Sequence, residues 1–87
     1  MVSYLILCRS LTYAQRTARA LEHAGIRCTV VRAPRLISDE GCGYCVKVPH
    51  RWFASATTEL KKNGLADGKI FVERADHTFE EVSYDLP

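Results

Sequence analysis

Two cysteines separated by two residues and flanked by glycines stand out in the segment Gly41-Cys42-Gly43-Tyr44-Cys45. A thiol acts as a nucleophile or sulfur acceptor only as the thiolate, so its surroundings must lower its pKa. Gly41 and Gly43 leave the sulfur of Cys42 unshielded and let a ligand or a partner's backbone approach closely. In a Cys-x-x-Cys pair, the second thiol can resolve a disulfide or persulfide formed on the first. The segment therefore predicts thiol chemistry at Cys42, with Cys45 as the resolving thiol.

Two further cysteines and three arginines complete the set of residues that can take part in this chemistry. Cys8 stands at the end of a predicted strand, where it either packs or supports a neighbouring thiol. Cys28 falls inside another predicted strand, and because unpaired cysteine is commonly buried, we expect it to pack as a small hydrophobic residue. Positive charge near Cys42 can lower the pKa of its thiol. The arginines expected near the predicted site are Arg9, Arg32 and Arg35.

The elements that must position these residues follow from hydrophobic periodicity and from capping residues. Strands are predicted over residues 2–8, 26–32, 44–48 and 69–73. Ser10 or Thr12 caps a first helix, and Gly25 ends it. Pro49 occupies the first turn of a second helix, which stops at residues 63–64. Alternation along the third strand places Cys45 on the opposite face from its neighbour Tyr44.

These elements follow the order β-α-β-β-α-β, which predicts an α+β, ferredoxin-like sandwich. Its four-stranded antiparallel sheet has the order 4-1-3-2, with both helices on one face. The first strand ends, the first helix begins, and the loop between strands two and three turns at the same end of this sheet. We therefore expect Cys8, Cys42 and Cys45 to converge there. Residues 1–75 form this single domain, and residues 76–87 are an acidic C-terminal tail or a short edge strand.

The composition is that of a small globular protein, with 87 residues, 47% hydrophobic and 25% charged residues, and a net charge of +2. A net charge this small does not indicate nucleic acid, and no stretch is long and apolar enough to span a bilayer. The N-terminus lacks a signal-peptide pattern, so we expect a cytoplasmic protein whose four cysteines are kept reduced. No Ser-His-Asp arrangement, carboxylate pair or phosphate-binding glycine loop indicates a conventional hydrolase.

An ordered string of motifs resembles the selenium/sulfur (Se/S) carrier protein-like family over roughly residues 3–73. The string consists of Tyr4-Leu5-Ile6-Leu7, Gly25-Ile26, Ala33-Pro34-Arg35-Leu36-Ile37-Ser38 and Gly41-Cys42-Gly43. Its most specific part is Pro34-Arg35 with Ser38, leading to Cys42-Gly43.

The resemblance implies a carrier that holds sulfur or selenium covalently on Cys42. Such a carrier is a non-enzymatic or accessory protein rather than an enzyme. The cargo would be a persulfide or selenosulfide, with no other cofactor, and the partners would be donor and acceptor proteins. Cys42 matches the cysteine position of the family, whereas Cys45 and Cys8 have no family role to carry over. The residues assigned supporting roles at the site are Gly41, Gly43, Arg9, Arg35 and Ser38.

Three other functions compete with the carrier. A dithiol-disulfide oxidoreductase would use Cys42 and Cys45, but the residues after Cys45 form a predicted strand rather than the helix of a thioredoxin-type site. A small zinc- or copper-binding protein would need ligands beyond the three converging cysteines, with His77 as a distant candidate; no metal site is assigned. An RNA-binding sheet face with Tyr4 and Phe71 lacks the aromatic-rich consensus, so no nucleic-acid partner is expected. An exposed apolar sheet face would more readily serve a homodimer.

Overall fold

The computed structural model describes residues 2–37, 43–65 and 68–82 of the chain. The strands are β1 (Ser3–Cys8), β2 (Thr29–Arg32), β3 (Tyr44–Pro49), β4 (Ile70–Glu73) and β5 (Phe79–Val82). The helices are α1 (Leu11–His23) and α2 (Phe53–Lys62), the second preceded by a 3₁₀ turn (His50–Trp52). None of the helices among these residues is long and apolar enough to cross a membrane.

The described strands form one antiparallel sheet with the order β2-β3-β1-β4-β5. The first four follow the predicted order 4-1-3-2, and the α+β class is confirmed. The predicted count of four strands is one short. Of the two alternatives predicted for residues 76–87, a tail or a short edge strand, the structure has the edge strand, β5, which pairs with β4. Its two consecutive glutamates, Glu80 and Glu81, interrupt the alternation that normally marks a strand. Pairing with β4, rather than a hydrophobic pattern of its own, therefore defines β5.

Helix α1 begins and ends at the predicted capping residues. The Ser10 hydroxyl accepts a hydrogen bond from the backbone N–H of Tyr13 (3.1 Å) and so occupies the N-cap. At the other end, Gly25 has a φ of 80°, a left-handed conformation that favours glycine. The N–H of Ile26 then donates to the carbonyl of Leu21 (3.0 Å), which closes the helix.

Two predicted boundaries differ from the structure, and Pro49 is involved in both. The ladder between β2 and β3 begins at the pair Thr29–Lys47, so residues 26–28 precede the strand. Pro49 has no N–H to donate and cannot extend that ladder. It is the last residue of β3 rather than the first turn of a helix, and the 3₁₀ turn separates it from α2.

The sheet has a packed layer on each face. Both helices cover the face that carries Tyr4, Ile6 and Cys8, and the buried side chains of α1 and α2 complete that core. The Tyr4 and Phe53 rings stack there with centroids 3.7 Å apart. On the other face, Leu5 and Cys45 pack with Ile37 and with partly buried hydrophobic residues from β1, β2, β4 and β5. The two faces therefore offer different surroundings to the cysteines of the sheet.

Candidate functional site

The end of the sheet where β1 and β2 finish and β3 starts is the place where the sequence predicted a site; we call it the site end. Tyr44 pairs with Cys8 on one side and with Arg32 on the other. The N–H of Ala33 donates to the carbonyl of Gly43 (3.1 Å), which extends the pairing beyond the strands. Helix α1 starts three residues after Cys8. The predicted meeting of these strand ends with the start of α1 is therefore confirmed.

The predicted site residues divide into two groups. Ser38, Gly41 and Cys42 lie outside the described residues. The others lie within them and are Cys8, Arg9, Arg35, Gly43 and Cys45.

Gly43, the residue that follows Cys42 in the chain, is buried and has a φ of 139°. Side chains rarely accept that backbone conformation, so glycine is required on conformational grounds as well as for access. Its carbonyl is held by Ala33, and β3 starts at the next residue. The C-terminal boundary of the predicted cysteine loop is thus tied to the sheet.

Cys45 lies on β3 opposite Leu7 and faces away from the helices. Its side chain is 0% exposed and packs in the apolar cluster with Leu5 and Ile37. Burial, with a smaller contribution from neighbouring Cys8, raises the pKa of the Cys45 thiol to about 12. The thiol is therefore neutral at physiological pH, which works against a role as a resolving nucleophile.

Cys8 is next to Cys45 in the sheet but on the opposite face. It pairs with Tyr44, is 4% exposed, and belongs to the core beneath the helices. Its sulfur lies 3.5 Å from the carbonyl oxygen of Ile6. The two thiols therefore meet at the same end of the sheet but lie on opposite faces, because adjacent ladder positions point alternately to the two faces of a sheet.

Three of the described arginines lie near the site end. Arg32 ends β2, and Arg35 is exposed in a turn closed by a hydrogen bond from the N–H of Ile37 to the carbonyl of Pro34 (3.1 Å). The guanidinium of Arg9 lies 5.0 Å from the centroid of the Tyr13 ring, a cation–π contact. The N-terminus of α1 adds the positive end of the helix dipole. Each of these groups attracts a nearby anion.

Two residues named in the sequence analysis lie away from the site end. Cys28 precedes β2, and its thiol is 3.6 Å from the carbonyl oxygen of Ala18. Burial and the nearby Glu22 carboxylate raise the pKa of Cys28 to about 11, in keeping with a packing role. His77 occupies the turn between β4 and β5, which adjoins the Ser3 end of β1 rather than the Cys8 end. It is therefore remote from the cysteines it was considered to join.

Within residues 2–37, 43–65 and 68–82, no three His, Cys, Asp or Glu side chains form a group that could hold a metal ion.

The sequence analysis also missed a residue that matters at this end of the sheet. Ile37 is buried against Leu5 and Cys45 on the face without helices. Its burial could not be predicted from the sequence, because Ile37 stands between an exposed leucine and a run of polar residues. Only the turn at residues 34–37 brings it onto the sheet.

The comparison with protein families gives a match over residues 3–72, to the family described as "Putative Se/S carrier protein-like". No curated protein and no solved structure matches the chain. The matched region contains β1 to β3, both helices and all but the last residue of β4, together with the segment that carries Cys42. With most of its 87 residues covered by this match, the chain belongs to the Se/S carrier protein-like family.

Proposed function

We propose that this protein accepts a sulfur or selenium atom on Cys42, holds it as a persulfide or selenosulfide, and delivers it to an acceptor protein. Family membership supports a carrier of these elements. Cys42 is chosen because the other three cysteines are buried or have a thiol with a raised pKa. Cys8 and Cys45 are buried, and Cys28 has a raised pKa and a carbonyl partner. Cys42 is therefore the cysteine expected to react as a thiolate.

The transfer needs no external oxidant or reductant. The Cys42 thiolate attacks the terminal sulfur of a donor persulfide, so that a new S–S bond forms while the bond to the donor's cysteine breaks. The donor's cysteine leaves as a thiolate and takes a proton from solvent. Delivery repeats the step, because an acceptor thiolate attacks the terminal sulfur and releases Cys42 as a thiolate. Selenium in the terminal position follows the same steps.

The electrostatics of the site end support this role. A thiolate and a persulfide are both anions, and nearby positive charge lowers the pKa of a thiol. Arg32, Arg35 and the N-terminus of α1 all lie at the end of the sheet to which the Cys42 segment is joined through Gly43. They would stabilise the reactive anion without taking part in bond formation.

A dithiol oxidoreductase remains the competing proposal, but no observation favours it. That reaction requires Cys45 to attack a disulfide on Cys42 as a thiolate. Cys45 is fully buried with a pKa of about 12, and it lies within a strand. A thiol activated for this reaction usually stands at a helix N-terminus or beside a cation, with a lowered pKa.

Intact-mass spectrometry tests the carrier proposal. The reduced protein is incubated with inorganic polysulfide, or with selenite and a thiol, and the adduct is located by peptide mapping. We expect one added sulfur or selenium atom on Cys42, no such adduct in Cys42→Ser, and an unchanged adduct in the matched variant Cys28→Ser. An equal adduct on Cys42→Ser, or none on the unmodified chain, would contradict the proposal.

A further inference from the structure

The two helices enclose a surface groove on the side of the molecule away from the sheet; we call it the α1–α2 groove. Its volume is about 670 Å³, and it is open to solvent. Helix α1 contributes Arg16, Arg19 and His23 to its lining, and the α2 side contributes Glu59 and Asn63. The predicted site and the proposed transfer use none of these residues.

The charge of the groove is unbalanced. Arg16 and Arg19 are exposed, and neither forms an ion pair within the part of the chain that the structure describes. Glu59, the carboxylate among the described lining residues, is already engaged. Its oxygens lie 3.8 Å from Nζ of Lys62 and 3.2 Å from the Asn63 side-chain amide, which donates to it. The groove therefore presents two uncompensated guanidinium groups.

Helix stability does not account for these arginines. Arg16 and Arg19 are three residues apart on α1, and like charges at this spacing destabilise a helix. They also stand too far from the last turn of α1 to gain from the helix dipole. Neither guanidinium is neutralised by a carboxylate among the described residues, so both are available to an anionic partner.

The small net charge of the chain conceals a basic helical side. Residues 9–27 and 50–65, which contain both helices, hold seven basic residues against two acidic ones, whereas the whole chain has a net charge of +2. The β4–β5 hairpin, residues 69–82, holds four acidic residues against two basic ones. A partner with negative charge would be steered to the helical side.

We propose that the α1–α2 groove docks an acidic segment of a partner polypeptide, whose carboxylates pair with Arg16 and Arg19. Arginine binds carboxylates through two parallel N–H···O bonds, and grooves between helices accept peptide segments. A single-stranded nucleic acid fits this groove less well, because its bases stack on aromatic platforms and no Phe, Tyr or Trp is among the described residues that line the groove. The inference does not depend on the chemistry of Cys42.

Amide chemical shifts of the ¹⁵N-labelled protein test this docking surface. The probe is a synthetic peptide in which glutamates alternate with alanines, titrated alongside a single-stranded RNA oligonucleotide of equal charge. We expect saturable shifts confined to residues 16–23 and 59–63 with the peptide. Affinity should fall at least about tenfold in Arg16→Gln/Arg19→Gln.

The matched control removes the same charge elsewhere on the helical side. Arg27→Gln/Arg51→Gln should keep affinity within about twofold, since neither residue lines the groove. Amide spectra of both double variants confirm that they are folded, and Cys42→Ser should bind the peptide like the unmodified chain. Absence of saturable shifts, equal weakening in both double variants, or tighter binding of RNA than of peptide would each overturn the proposal.

Discussion

Replacing Cys45 with serine should destabilise the fold while leaving an adduct on Cys42 intact. The side chain is 0% exposed and packs with Leu5 and Ile37 in an apolar cluster. Serine has nearly the same shape but carries a hydroxyl that needs a hydrogen-bond partner, whereas a thiol tolerates apolar surroundings. The substitution therefore separates a packing thiol from a reacting one.

The expected loss can be estimated from the burial. Placing an unpaired hydroxyl in an apolar site costs about 1–3 kcal/mol in proteins. In a domain of this size, each kcal/mol lowers Tm by about 4–8 °C, so the change is easily measured. Cys28→Ser is the matched control, because Cys28 is only half-buried and its thiol already lies beside the carbonyl of Ala18. We expect that control to lose less than about 1 kcal/mol.

Urea unfolding followed by circular dichroism measures the free energy of unfolding, and intact mass after polysulfide treatment measures the adduct. Cys45→Ala belongs in the same series, since it removes the sulfur contacts without burying a hydroxyl. If Cys45→Ser kept the full free energy of unfolding but altered formation or release of the adduct, Cys45 would be a chemical partner of Cys42. The reasoning from burial would then be refuted.

The structure also predicts an alkaline instability and a requirement for glycine. Burial raises the pKa of Cys45 from its ordinary 9.0 to about 12 in the folded protein, so between these two pH values the unfolded state binds fewer protons. The free energy of unfolding should fall as pH rises above about 9, by up to about 1.4 kcal/mol per pH unit for this group. In Cys45→Ala this fall with pH should be shallower, and an equal or steeper fall would contradict the prediction. Gly43→Ala should cost about 1–3 kcal/mol by urea unfolding, because φ is 139° and the residue is buried. Gly25→Ala should cost less than Gly43→Ala, about 1 kcal/mol, because its φ is 80° and an added Cβ would meet nothing within 4 Å. A loss at Gly25 equal to or larger than the loss at Gly43 would contradict the argument.

Local sequence determined the parts of the fold that depend on neighbouring residues. Ser10 and Gly25 mark the ends of α1 because capping uses backbone groups within one helical turn. The alternation along β3 separates Cys45 from Tyr44 because successive side chains of a strand point to opposite faces. The ordered motifs around Cys42 were enough to indicate the family.

Tertiary structure decided the features that depend on residues distant in the chain. The register that sets Cys8 opposite Tyr44 puts the thiols of Cys8 and Cys45 on different faces, and no local pattern specifies that register. Strand β5 exists through its pairing with β4, despite its adjacent glutamates. Likewise, Arg16 and Arg19 resemble ordinary surface residues until α2 packs beside α1 and forms the second wall of the groove. The cysteine pair was visible in the sequence, but the pKa of Cys45 depends on burial, which only the assembled sheet provides.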